Sequence, residues 1–438
     1  MRRVRGVILL VLLILAGSLY SQEISARKEI AVFALSYYDW KIPGGALGMV
    51  DEQIKGVFIK LNRFNVIGMN YRLGSRDIND FIARIREIKE AEVEIPESVR
   101  LGQEAFTESD FNKLVGSFIV VVPVMSYYNL TRDQKGNYGA EMETAFTFID
   151  VQNYKTMAQF AVKTTGYNDT PNAAVKDAAD DIFYQLTFEI RKIPEFQLKT
   201  GIIDVKGSTI FIEFGSNMGV KKGDEYAVVV PRLLPSGHAV TDEVGLLVIK
   251  EVKEEISVGK LIYSKQKPMI GDQIQEVPRL GFDTSLYVHG TFNFANFADT
   301  VILAGLRQSI SRGLYGFRPL IGVEVPINLR PSSIGFPLNL YLGGELNWYL
   351  GRFQIVPMAA GGLGGAFGAT KVDKSGSAQE NFYLTHGGFI TQVTLNYLAG
   401  RSVRLLVEGG YTFWFSFSVS SWGDYGGFFA GLGVLIKY

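Results

Sequence analysis

The sequence predicts a multidomain protein: a periplasmic α/β domain, a small β module, and an eight-stranded antiparallel transmembrane β-barrel. Three observations point there. The N-terminus carries Arg2, Arg3 and Arg5 before a short apolar run, residues 7–16, and then small residues. That is the pattern of a secretory signal, and it is shorter than the roughly 20 residues a spanning helix needs. The tail from Gly281 to Tyr438 holds 18 charged residues among 158, whereas a quarter of residues 22–280 are charged. Finally, the tail alternates: Gly426, Phe428, Ala430, Leu432, Val434, Ile436 and Tyr438 form one apolar face of a strand.

Each tail element follows from that period of two. Leu338, Leu340, Leu342, Leu346, Trp348 and Leu350 alternate with Asn339, Tyr341, Glu345, Asn347 and Tyr349. Residues 402–416 set Val403, Leu405, Val407, Tyr411 and Phe413 against Arg404, Glu408 and Thr412. Residues 319–327 and 382–398 repeat the pattern, and 282–292 and 353–368 do so more softly. Residues 301–310 read equally as a strand or a short helix. Eight strands is an even number, and the connections alternate short and long, as in single-chain outer-membrane barrels. The longer loops are residues 293–299, 329–336, 369–381 and 419–424. A soluble barrel would turn its apolar residues inward and carry charge outside, and no such charged face exists here.

So narrow a lumen is filled by its own side chains. Arg318, Glu324, Glu345, Arg404 and Glu408 share the inward register and are expected to form a salt-bridged plug, because buried charges must be paired. Trp348, Trp414, Tyr349 and Tyr411 are candidates for interfacial aromatic belts, although Trp414 and Tyr349 fall on the inward register. The tail resembles small outer-membrane barrels of the OmpA and OmpX type. That resemblance implies a role for the terminal aromatic Tyr438 as the C-terminal signal to the outer-membrane insertion machinery.

Residues 22–193 read as mixed α/β: strands at 30–34, 64–68 and 115–127, helices at 46–61, 75–90 and 172–192, and an antiparallel pair at 140–151 and 157–165. The opening IAVFAL, the helix VDEQIKGVFIKLNRFNVIG, the strand SFIVVVPVMSYYNL and the pair AEMETAFTFIDVQNYKTMAQFAVKTTG resemble the periplasmic domain of the curli-secretion channel CsgG. The chain departs from that family in lacking a lipidated cysteine and membrane hairpins. Residues 194–277 carry FGSNMGVKKGDEYAVV and MIGDQI, a pattern similar to the C-terminal domain of the flagellar protein FlgT. Gly223–Asp224 and Gly271–Asp272 then read as turns, with each Asp capping rather than binding metal. Residues 275–281 are the expected linker into the tail.

The sequence contains no cysteine, which excludes disulfides and thiolate chemistry. Lys and Arg together equal Asp and Glu at 44 each, so nucleic acid is not an expected partner. The three histidines, His238, His289 and His386, show no metal-ligand spacing. GGLGGAFG, residues 361–368, lacks the Lys-Ser/Thr end of a phosphate loop. The expectation is therefore a non-enzymatic protein with no cofactor, no metal and no catalytic residue. Its expected location is the bacterial outer membrane, with the N-terminal domains in the periplasm. Its expected partners are outer-membrane lipid, the insertion machinery, and envelope proteins of a surface appendage, flagellar or secretion apparatus. The alternative is an oligomeric transport component with a CsgG-like vestibule, which makes further copies of the chain possible partners.

Overall fold

In the computed structural model, described for residues 24–37, 45–91, 97–101, 104–293, 296–327, 336–372, 378–417 and 424–438, the protein is mostly β, with a separate α/β part. The signal-peptide segment, nearly all of the loops expected at 329–336 and 419–424, and residues 294–295 and 373–377 lie outside the described residues; the rest of the loops expected at 293–299 and 369–381 is strand, because the adjoining strands extend into them. Residues 24–198 with 214–219 form one unit, and residues 199–213 with 220–438 form another.

The α/β unit is built on one sheet. Strands β1 (Lys28–Ala34), β3 (Phe64–Arg72), β6 (Ile119–Arg132), β7 (Tyr138–Asp150) and β8 (Lys155–Asn168) lie in the order β3-β1-β6-β7-β8, and β2 (Ser36–Tyr37) pairs with β6. Strand β1 runs parallel to both of its neighbours, and β6 to β8 form an antiparallel meander. Both faces of β1 are buried, which explains its unbroken apolar run. Ile30 and Val32 pack among residues of α1 (Ala46–Leu61) and α4 (Pro171–Lys192). Ala31 and Phe33 pack toward α2 (Ile78–Ala91) and α3 (Glu108–Gly116). Thr170 caps α4 by accepting from the Ala173 amide, and Pro171 opens the helix, where a missing N–H costs nothing. A Cβ on Gly166 of β8 would stand 2.0 Å from the Ala174 carbonyl, so glycine lets α4 approach the sheet closely.

One expectation shifts here, and one element is new. The long strand begins at Ile119 rather than 115, because residues 108–116 form α3, whose core stripe is only Phe111 and Leu114. A short hairpin, β4 (Ser98–Leu101) with β5 (Glu104–Thr107), precedes that helix.

The second unit contains two closed barrels. The small one joins β9 (Lys199–Lys206), β10 (Thr209–Ile212), β11 (Glu225–Leu233), β12 (Ala239–Val252), β13 (Ser257–Ser264) and β14 (Gln273–Val277) in the order β10-β13-β12-β11-β14-β9. The large one contains β15 (Phe282–Asn293), β16 (Asn296–Ile310), β17 (Phe317–Pro326), β18 (Phe336–Leu346) continued by β19 (Trp348–Leu350), β20 (Phe353–Val372), β21 (Ala378–Leu398), β22 (Val403–Ser416) and β23 (Tyr425–Lys437). Every neighbouring pair is antiparallel. Pairing of β15 with β23 and of β18 with β20 closes the eight-stranded cylinder. The ambiguous 301–310 segment is strand, paired on both sides by β15 and β17. Residues 275–281 are no loose linker: Gln275 still pairs with Lys199, and Arg279 is tied into the barrel rim.

On the large barrel the expected alternation holds residue by residue. Leu286, Val288, Ile321, Leu342, Val393, Leu405, Val407 and Leu432 point outward and are exposed, while Asp283, Arg307, Arg318, Glu324, Arg404, Glu408 and Lys437 are buried. Trp348 is exposed on the wall, but Trp414 and Tyr349 are buried, so these two are lumen fillers rather than belt residues.

Candidate functional site: a charged lumen sealed by the small barrel

All five residues expected in the plug are buried inside the large barrel, but they do not form one cluster. Near the short-turn end, Arg318 donates to Asp283 at 2.9 Å and to the Tyr349 hydroxyl at 2.8 Å, and stands 4.0 Å from Glu345. Arg404 on the same level hydrogen-bonds Gln354 and lies over the Tyr349 ring. Half-way up, Glu408 accepts from Arg307 at 3.2 Å and from Gln392 at 3.0 Å, and contacts His289 Nδ1 at 3.3 Å. Glu324 accepts from Tyr287 at 2.8 Å, and the Tyr287 and Tyr341 hydroxyls meet at 2.5 Å. His289 stacks on Phe429 at 4.2 Å. Above this layer, Trp414 packs with Val301, Leu303 and Tyr425, and Tyr425 donates to Asn339 at 2.8 Å.

Glycine makes room for these large side chains. A Cβ on Gly322 would meet the Tyr341 ring at 2.0 Å, and one on Gly388 would meet Trp414 at 2.4 Å. The lumen is thus layered with buried charge and aromatic rings, but it is not the fully salt-bridged plug expected: Arg307 and Arg318 are ion-paired, Arg404 is held by Gln354 and the Tyr349 ring, and Glu324 by the Tyr287 hydroxyl. The arrangement can hold a rigid cylinder, and within it Thr385 Oγ1 lies 2.8 Å from His386 Nδ1. Among the described residues, no group of three His, Asp or Glu side chains could hold a metal ion.

The seam between the two barrels is the second part of the site, and local sequence patterns did not reveal it. Glu225, at the start of β11, is fully buried. Lys437 of β23 pairs with one carboxylate oxygen, and Arg279 donates to the other at 2.8 Å. Arg279 also donates to Ser402 Oγ at 2.7 Å and to the Lys437 carbonyl at 3.2 Å. Burial raises the Glu225 pKa, but the charges of Lys437, Arg279 and Arg404 outweigh that and hold the carboxyl well below the usual range. Beside it, Asp224 accepts from the Lys221 amide at 2.8 Å, the expected turn cap, and its other oxygen takes Arg312 at 2.8 Å. Glu243 of β12 pairs with Arg401 of a barrel turn at 3.3 Å. Gly223 has φ +80°, and a Cβ there would stand 2.1 Å from the Ser311 carbonyl, so the barrel turn sits directly on this glycine. An apolar layer completes the seam: Ala227, Val229, Leu246, Val248, Ile262 and Val277 pack against Tyr349 and Leu398.

Inward register was readable for Arg318, Glu324, Glu345, Arg404 and Glu408. The partners Asp283, His289 and Lys437 carry the same period-two signal and could have been added by it, whereas Arg307 lies in the ambiguous 301–310 stretch. Glu225 and Arg279 carry no such signal, since their partners are 212 and 158 residues away along the chain.

No family model matches the chain, and no curated protein matches it. Among solved structures, the hypothetical protein CT253 of Chlamydia trachomatis is 11% identical and aligns at a TM-score of 0.27, covering 38% of this chain and 98% of its own. A PelC dodecamer from Paraburkholderia phytofirmans is 10% identical at a TM-score of 0.23, covering 37% and 89%. A porin is 10% identical at a TM-score of 0.16, covering 73% of this chain and all of its own.

Proposed function

We propose that this is a non-enzymatic outer-membrane protein whose large barrel spans the bilayer and anchors a periplasmic module that binds or assembles envelope partners. The observation carrying this reading is the inverted cylinder: large apolar side chains are exposed all round its outer wall, and buried charged side chains fill its interior. In water such a wall would be an aggregation hazard far larger than the apolar patches of soluble monomers. In a bilayer it is the expected surface. The sealed seam favours an anchor over a pore, because the small barrel lies across one mouth and the lumen is occupied. On this reading the resemblance of residues 22–193 to CsgG and of 194–277 to FlgT marks the partner-binding part, with a surface appendage, flagellar or secretion apparatus as the partner class.

The test has two readouts on the full chain. Unboiled protein should migrate faster on a gel than boiled protein; identical migration counts against the membrane barrel. Reconstituted in planar bilayers, the protein should show no large, stable conductance steps, and finding them would replace the anchor with a transport component. Crosslinking in intact cells should then capture envelope proteins rather than self-contacts alone.

A further inference from the structure

The small barrel does not meet the large one end-on. Its docked face is a strand face, formed by alternate residues Glu225, Ala227 and Val229 of β11 with Leu246 and Val248 of β12 and Val277 of β14. Its strands therefore run across the barrel mouth rather than along the barrel axis. Strands β11 and β12 continue past the docked region as a two-stranded hairpin, in which Pro231 pairs with Thr241 and Leu233 with Ala239. Beyond Val229, β11 loses its partner β14, so only the hairpin carries on.

Strand side chains alternate, so Pro231 and Leu233 stay on the face that Val229 presents to the barrel. Glu243 opposes Val229, and its ion pair with Arg401 fixes that face against the barrel rim. Leu233 lies four residues farther, roughly 13 Å along the strand, and it is 59% exposed. The tip is a tight turn, with Leu234 N–H donating to the His238 carbonyl at 2.8 Å and Gly237 at φ +83°. Lys265 Nζ donates to the Glu243 carbonyl at 3.3 Å, which holds this exposed lysine beside the same rim; Lys267 is exposed two residues on, and Arg352 and Arg401 are exposed on the barrel turns. The wall just above those turns carries exposed Trp348, Leu350, Phe353 and Tyr397, the composition of a membrane–water interface.

We propose that the β11–β12 hairpin is a foot resting on the leaflet that surrounds the barrel, with Leu233 in the headgroup–acyl boundary and Lys265 and Lys267 among lipid phosphates. The inference rests on the reading of the large barrel as membrane-spanning. The occupant is bilayer lipid, because the hairpin face is continuous with a face already seated on the barrel rim, and because an apolar tip flanked by cations matches an anionic interface. A foot beyond the perimeter would resist rocking of the small barrel about its seam.

The chain has no cysteine, so single labelling sites can be placed at will. Three full-length variants, Leu233→Cys, Arg232→Cys on the opposite hairpin face, and Val407→Cys on the outer wall of the large barrel, would be labelled with bimane. They would be reconstituted in phosphatidylcholine–phosphatidylglycerol vesicles with acyl chains brominated near the glycerol end. Loss of fluorescence at 233 and 407 but not at 232 is the expected result. Quenching at 407 with none at 233 overturns the foot and leaves the membrane barrel standing. No quenching at 407 overturns the membrane reading itself. Leu234→Cys serves as a second tip site, and only samples that keep heat-modifiable migration are scored.

Discussion

The small and large barrels solve the same closure problem with opposite chemistry. Inside the six-stranded barrel stand Tyr226, Val228, Leu247, Ile249, Ile210 and Ile274, an ordinary apolar core. Inside the eight-stranded barrel stand Arg307, Arg318, Glu324, Arg404 and Glu408, with apolar residues on the outside. Both use alternation, so the difference lies only in which parity is apolar, and on the function proposed above that parity follows from the solvent each wall meets. Two facing charged layers, the seam and the lumen floor, share Lys437, which lies 3.9 Å from Asp283 while pairing with Glu225.

That contrast can be broken in several places. The largest effect is expected at Glu225→Ala. It leaves Lys437 and Arg279 buried without their carboxylate, a loss of about 3–5 kcal/mol, read as a lower melting temperature and new protease cleavage between the barrels. An unchanged melting curve would mean the seam does not hold them. Next comes one substitution applied to both outer walls. Val407→Lys should destabilise the large barrel by about 2–4 kcal/mol in lipid, while Ile203→Lys on the exposed wall of the small barrel should be close to neutral. Equal effects would erase the distinction between the walls.

Acid gives a smaller, signed effect. The depressed pKa of Glu225 means its stabilising contribution is fully present above the ordinary glutamate value of about 4.3. It then shrinks as pH falls toward the lower folded value. The stability gap between the wild type and Glu225→Gln should therefore stay constant from pH 7 to about pH 5 and close below that. A gap already closing near neutrality would contradict the pairing. The smallest effect belongs to Arg401→Ala, whose partially exposed pair with Glu243 should contribute no more than about 1 kcal/mol. A loss as large as that of Glu225→Ala would show that the rim, not the buried carboxylate, carries the docking.

The sequence made strand parity legible because a buried face repeats every second residue, and this located the plug residues by register. It could not say that Arg318 takes Asp283 from a strand 35 residues earlier, or that Arg404 turns to Gln354, since register sets a face and not a partner. The stretch 301–310 stayed ambiguous because Val301, Ile302, Leu303 and Ala304 run apolar without alternation, and two flanking strands decide it. Helix α3 escaped notice because nine residues offer a core stripe of two. The seam escaped for a different reason: Gly223–Asp224 looks like any capped turn until a barrel turn is set upon it.

The pairing of β15 with β23 carries a consequence for the order of events during assembly. Lys437 reaches Glu225 only once β23 lies beside β15, where it stands opposite Asp283, and the Leu280 amide then donates to the Tyr438 carbonyl at 2.7 Å. The strand that zips the cylinder shut is thus also the latch for the small barrel. Until that zipper is complete, the latch has no keeper, and a half-built cylinder holds its neighbour without the Lys437–Glu225 pair and without the Arg279 bond to the Lys437 carbonyl. A mis-threaded barrel would therefore announce itself on the opposite side of the seam, as a small barrel swinging loose.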